Sequence, residues 1–178
     1  MIFSHLNNKK LIILSLLFIV TSCSFLLTTQ VAADMLGIFK KYDVHLSPEV
    51  RGKILLNGEP ISNQEVLRGL TYGDDKEIID KTLTDAHGNF YLPEKIIRSR
   101  KPGSMFDESR TRQVIVTHHN EKDLMLWYTQ SIGIEPNKAL SEKLNKLNCD
   151  LTNSEEELEF KSYEYPQSGY LLHSICRW

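Results

Sequence analysis

Cys149 and Cys176 carry the most definite chemistry in this 178-residue chain. Oxidised, they form a disulfide across 27 positions; reduced, they are two buried thiols. The third cysteine, Cys23, lies in an apolar N-terminal segment. Removing that segment leaves an even pair, the arrangement expected to oxidise outside the cytoplasm. A bridge of this span contributes about 3 to 4 kcal/mol on the chain-entropy account. Bridged cysteines cannot attack a substrate, and the sequence has no C-x-x-C redox pair. His118 and His119, with Glu121 and Asp123, have the residue types of a metal site, but neighbouring side chains on a strand point to opposite faces. A polar hairpin tip is the expected role. His45, His87 and His173 are scattered, and no spacing ties any of them to Ser104 or Ser109 as a triad. No catalytic residue, no metal site and no cofactor is therefore expected.

The basic residues Arg98, Arg100, Lys101, Arg110 and Arg112 fall within fifteen positions around Pro102-Gly103, with only Asp107 and Glu108 among them. Guanidinium forks bind carboxylate or phosphate in bidentate fashion, so a basic loop over 96–112 is a candidate binding site. The competing reading is a solvated loop that balances Asp107, Glu108 and the Glu155-Glu156-Glu157 run. The aromatic residues Trp127, Tyr128, Tyr163, Tyr165, Tyr170 and Trp178 are read mainly as core, with Trp127 and Met125 on the inner face of a central strand by their period of two.

What must position these residues begins after an export signal. Lys9 and Lys10 precede the apolar run Leu11 to Val20, and no acid occurs before Asp34. Val31-Ala32-Ala33 offers a signal-peptidase site, making residues 1–33 a signal peptide and the product periplasmic. Val20-Thr21-Ser22-Cys23 offers instead a lipobox with an acylated Cys23. An uncleaved inner-membrane anchor, and a cytoplasmic protein translated from Met35, are the remaining alternatives. Loss of residues 1–33 removes two lysines and no acids, so the formal charge moves from −2 to −4. The 145 residues left suit one domain, with neither a nucleic-acid footprint nor a polybasic membrane patch.

Within that domain the elements are short. Val50 to Leu55 reads as a strand closed by the turn Asn57-Gly58-Glu59-Pro60. Residues 66–72 and 77–84 follow, then the turn Asp85 to Gly88 and a strand at Asn89 to Leu92 ended by Pro93. Residues 113–117 and 124–129 read as central strands, and Leu140, Leu144 and Leu147 as one short helix opened by Pro136. One or two strands over 155–160 and 169–178 complete a two-layer β-sandwich. The expected organisation is a lead segment at 34–46 and a single sandwich domain at 47–178.

The motif Val50-Arg51-Gly52, then Asn57-Gly58-Glu59-Pro60-Ile61, then Thr84-Asp85-Ala86-His87-Gly88-Asn89-Phe90, resembles the signature of carboxypeptidase-regulatory-like and transthyretin-like domains. That resemblance implies an immunoglobulin-like antiparallel sandwich in which Gly52 allows close approach, Asn57, Gly58 and Pro60 shape the first hairpin, Asp85 and Gly88 the second, and Phe90 enters the core. With Asn148-Cys149-Asp150 and the terminal Ile175-Cys176-Arg177-Trp178, nearly everything after Met35 is also similar to a bacterial exported family of unknown function built on this domain. Neither resemblance implies a reaction. The expectation is a non-enzymatic protein-binding module of the bacterial envelope, in particular an immunity-type inhibitor of a delivered toxin. The alternative is a module that binds envelope glycan or an anionic lipid head group through the basic loop.

Overall fold

The computed structural model describes residues 12–13, 15–22, 40–73, 75–102, 107–164, 166–167 and 169–178. Cys23, Ala33, Met35 and Ser104, and with them both cleavage readings, lie outside these residues. Helix α1 (residues 12–13 and 15–22) leaves Ile12, Ile13 and the apolar run Leu16 to Val20 exposed. Among the described residues no helix is long and apolar enough to cross a membrane.

The rest is a β-sandwich. Its strands are β1 (Tyr42–Ser47), β2 (Val50–Leu56), β3 (Glu59–Pro60), β4 (Glu65–Tyr72), β5 (Ile78–Leu83), β6 (Asn89–Leu92), β7 (Lys95–Ser99), β8 (Arg110–His119), β9 (Lys122–Ile132), β10 (Leu147–Asp150), β11 (Glu156–Lys161) and β12 (Gly169–Ser174), with helix α2 (Lys138–Leu144) after β9. One layer is a six-stranded antiparallel sheet ordered β11-β12-β9-β8-β4-β5. The other combines the ribbon β1-β7 with a smaller sheet in which β2 pairs β3, β6 and β10. Period-two alternation turns Val66, Arg68, Leu70 and Tyr72 of β4 inward. Val50, Ile54, Phe90, Leu92 and Cys149 meet Val66, Ile115, Trp127 and Leu172 in the main core, which α2 closes with Leu140 and Leu144. Val44 and Leu46 meet Leu70 and Tyr72 in a second core under the ribbon.

The turns follow their residues. Asn57 and Gly58 take φ of 52° and 84°, the left-handed pair that a two-residue hairpin needs. Gly88 has φ 77°, and a Cβ there would stand 2.6 Å from the Ile54 carbonyl oxygen. Asp85 accepts from the amides of His87 and Asn89, both at 2.8 Å, and Phe90 is buried. Gly52 sits opposite Phe90 on β6 and Leu147 on β10. A Cβ there would be 2.5 Å from the Phe90 ring and 2.9 Å from the Leu147 Cβ. Gly52→Ala is therefore expected to cost about 1–3 kcal/mol in urea unfolding through overpacking.

Four sequence expectations are corrected. The lead segment does not end at 46, because β1 starts at Tyr42 and pairs with β7, Val44 lying opposite Ile97. The basic stretch is not one loop: Lys95–Ser99 and Arg110–His119 are strands at its two ends. Leu147 belongs to β10, which runs parallel to β2, because the chain crosses between layers through α2 and arrives in the same direction. Leu126 and Trp127 are both buried, whereas Met125 is half-buried. Ile115 pairs with Trp127 and Val116 with Met125, so an extra residue bulges between them and breaks the alternation.

The C-terminus leaves the six-stranded sheet after Ser174 and joins the other layer. Asn148 and Arg177 exchange two backbone hydrogen bonds of 2.8 Å, and Cys149 is disulfide-bonded to the fully buried Cys176. Trp178 then stacks edge-on against Trp127 with centroids 6.1 Å apart. One residue after Cys149, Asp150 clamps the first hairpin: its carboxylate accepts from the amides of Asn57 (3.2 Å) and Gly58 (2.7 Å) and from the Thr152 amide and hydroxyl. Those bonds, Thr152's hydroxyl foremost, hold its pKa below the ordinary carboxylate range. Asp150→Ala is expected to lose about 1–2 kcal/mol at neutral pH, a charge-assisted contact discounted for its partial exposure. Because the folded pKa is depressed, that contribution is present above the unfolded value of about 3.9 and disappears as the pH falls through the folded one. Urea titrations of both proteins at neutral and strongly acidic pH check it.

Candidate functional site

The basic residues lie on β7, in the segment after it and on β8, and most of them are paired within the chain. Arg98 on β7 pairs with Asp43 of β1 at 3.3 Å, Lys101 with Asp75 at 2.8 Å, Arg110 with Glu108 at 3.1 Å, and Arg112 with Glu77 at 3.5 Å. Arg112 also donates to Thr71 Oγ1. Four of these five residues therefore already have carboxylate partners within the chain, which removes most of the uncompensated charge that made the stretch a candidate. The loop after Arg100 is tied down near its return: the hydroxyls of Tyr72 and Ser109 both donate to Asp107 Oδ2, at 2.8 and 2.7 Å. Burial, with Asp107 adding to it, pushes the Tyr72 phenol up to about 12, so it stays a donor at neutral pH.

The histidines do not converge. His118 Nδ1 meets Asp123 at 2.8 Å on the exposed hairpin, whereas His119 Nδ1 meets Gln64 Oε1 at 3.1 Å. His45 lies beside Glu94, and His173 beside Glu155 and Glu157. Among the described residues no group of three His, Cys, Asp or Glu side chains could hold a metal ion.

A buried polar network, invisible in the sequence, joins the ribbon to the large sheet. Arg68 is fully buried; its Nη2 lies 2.6 Å from Asp80 Oδ2 and its Nη1 3.2 Å from Ser47 Oγ. Lys95 reaches the other Asp80 oxygen at 3.0 Å, and Gln113 donates to Ser47 Oγ at 2.8 Å. Five strands contribute one residue each. Burial alone would raise the Asp80 carboxyl; the bonds from Arg68 and Lys95 outweigh it and hold the pKa below the ordinary range.

Two surfaces have the shape of contact sites. The first is the outer face of the six-stranded sheet. On β4, Leu67 and Gly69 point outward, aligned with Val116 and Val114 of β8, which align in turn with Met125 and Tyr128 of β9. Gly69 is opposite Ile79 on β5, which is 65% exposed, and Leu171 on β12 is 50% exposed. Ile132, opposite Arg110, is 69% exposed. An apolar lane thus crosses the sheet from β5 to β12, interrupted by the Glu77 carboxyl over Gly69 and by His173, which pairs with Tyr128. The adjoining edge strand β11 aligns Glu157 with His173 and Glu159 with Leu171, giving the lane an acidic border.

The second surface is an open cleft of about 950 Å³ over the outer face of β10, β2 and β6. Asn148, Lys53 and Asn89 form one row across these strands, and Arg51 pairs with Tyr91 in the next, beside Lys146. The Arg51 guanidinium lies 4.6 Å from the Tyr91 ring centroid and is held by both oxygens of Glu49.

Residues 50–154, more than half of the chain, match the model of the family described as a domain of unknown function, DUF6795. The chain belongs to that family. The DUF6795 region runs from β2 to just after β10, so it takes in the Asn57-Gly58 and Asp85-Gly88 hairpins, the buried Arg68, both contact surfaces in large part, and Cys149. It leaves β1, β11, β12 and Cys176 outside. No curated protein and no solved structure matches the chain.

Proposed function

We propose that this chain is an exported, non-enzymatic protein-binding module of the bacterial envelope, built on a carboxypeptidase-regulatory-like sandwich, and that it engages its partner through the outer face of the six-stranded sheet. The observation that carries this reading is the apolar lane through Ile79, Val114, Tyr128 and Leu171 on an exposed sheet face. Exposed apolar side chains gathered on one face among polar residues mark protein contact sites. Glu157 and Glu159 on one border call for a partner with basic residues flanking an apolar centre. An immunity-type inhibitor fits this description, because blocking a toxin needs only a complementary surface.

Export is supported by Lys9-Lys10 ahead of an apolar helix whose side chains stand exposed, and by the paired Cys149 and Cys176. Cleavage after Ala33, with a periplasmic product, is the preferred form over acylation at Cys23. The mass of the protein purified from the envelope distinguishes them.

The functional test is affinity capture of the full-length chain expressed in its own envelope. The reading expects one protein recovered at about equimolar ratio, as a standard-sized specific interface would give. Absence of any stoichiometric protein, including in cells expressing toxins encoded nearby, overturns it.

A further inference from the structure

We infer that the cleft over β10, β2 and β6 is a binding site for a carboxylate-bearing saccharide, separate from the protein-binding face. The argument starts from register. Parallel pairing sets Asn148 beside Lys53, and antiparallel pairing sets Lys53 beside Asn89, so three polar side chains project together from adjacent strands. Arg51 and Tyr91 repeat the arrangement two residues along, with Lys146 next to them on the approach to β10.

Charge then selects the ligand. Glu49 neutralises Arg51, and Asp85 is occupied by its own turn. Lys53, Lys146 and the Asn148 side chain make no hydrogen bond or ion pair among the described residues, in contrast to the paired arginines of the 98–112 stretch. Lys53 stands on β2, and Lys146 in the turn just before the neighbouring β10. That separation suits carboxylates repeated along a chain better than one compact phosphate, which favours an arginine fork or clustered amides. The Asn148 side-chain amide can donate to and accept from sugar hydroxyls, and Asn89, whose Nδ2 donates to Asp85 at 3.0 Å, can accept from one through its Oδ1. Leu55 and Leu83 on the cleft wall offer apolar contact to the C–H faces of a ring. β2 lies between β10 and β6, so its ladder is consumed on both edges and cannot take up a peptide strand.

The floor is rigid. Gly52 lets the Phe90 ring and Leu147 close directly beneath the platform, and the Cys149 disulfide fixes β10. A ligand therefore meets a backbone platform already in place, and the ordering cost falls on the lysine and asparagine side chains.

The test is calorimetric titration of the purified mature protein with a galacturonate oligosaccharide, its methyl-esterified form, inorganic phosphate and phosphatidylglycerol vesicles. The expected result is binding of the free-acid oligosaccharide, weakened by salt. Lys53→Gln with Lys146→Gln is expected to weaken it at least about tenfold at unchanged melting temperature, and Asn148→Ala to weaken it independently. Arg98→Gln with Arg100→Gln is expected to leave it intact. No binding in the millimolar range, equal binding of the methyl ester, or binding of phosphate or vesicles in place of the saccharide each overturns the inference. Lys53→Gln with Lys146→Gln is expected to leave protein capture unchanged, so failure of this site and failure of the sheet-face reading are distinguishable.

Discussion

Asp80→Ala is expected to be the most damaging single substitution in the domain, lowering stability by about 3–5 kcal/mol, because it strands the fully buried Arg68 guanidinium without its counter-charge. Arg68 would keep only Ser47 Oγ, and its Nε already lacks a partner. The loss arises from an uncompensated charge rather than from the net worth of the pair. Arg68→Met combined with Asp80→Leu is accordingly expected to lie within about 2 kcal/mol of the wild type, on either side. Lys95, part-exposed, would then turn to water. Urea unfolding of the three proteins separates the two accounts. The wild type carries the same information in its pH dependence. Asp80 titrates below its unfolded value, so its contribution is complete above about pH 4 and is lost as the pH falls through the depressed folded pKa. Asp80→Ala should remove that part of the acid sensitivity.

The second large effect belongs to the disulfide. Cys149→Ala with Cys176→Ala is expected to lower stability by about 3 to 4 kcal/mol, the loop-closure value for a separation of 27 residues. The damage should be local as well as global. The bridge holds the last residues against β10, where Asn148 and Arg177 exchange hydrogen bonds and Trp178 stacks on Trp127. Reductant added to the wild type should therefore shift both the urea midpoint and the tryptophan emission, while the double variant ignores it. Identical midpoints with and without reductant would mean that the cysteines are not paired in the isolated protein.

Features set by a few neighbouring residues were readable from the sequence. Asn57-Gly58 and Asp85 to Gly88 bend where their types require, and Gly52 stands under Phe90. Central strands at 113–117 and 124–129 were readable from their apolar and β-branched residues, although both extend further and a bulge breaks the alternation between them. What failed depended on distant pairing. β1 alternates Val44 and Leu46 with polar residues, yet its partner β7 lies about fifty positions away and carries Arg98, one of the basic residues that suggested a loop. Asp150 looks like any surface acid until the fold brings it to the amides of Asn57 and Gly58, some ninety residues earlier. Arg68 sits in an apolar strand, where only the register with Asp80 explains its burial. The basic cluster misled for the converse reason: residues adjacent in sequence were carried onto different strands and met carboxylates there. The exposed lane had no sequence signature, since an apolar residue in a strand shows which face it occupies only once the second layer is seen to cover the other face.

The central claim is that the outer face of the six-stranded sheet holds a protein partner. It is tested most directly by comparing capture from the native envelope by the wild type and by Ile79→Glu with Leu171→Glu. Both side chains are already exposed, so the substitutions are expected to leave the protein folded while placing a charge at each end of the contact. The account predicts that the wild type recovers a protein at about equimolar ratio and that the variant recovers at least about tenfold less. Equal recovery by the folded variant would contradict it.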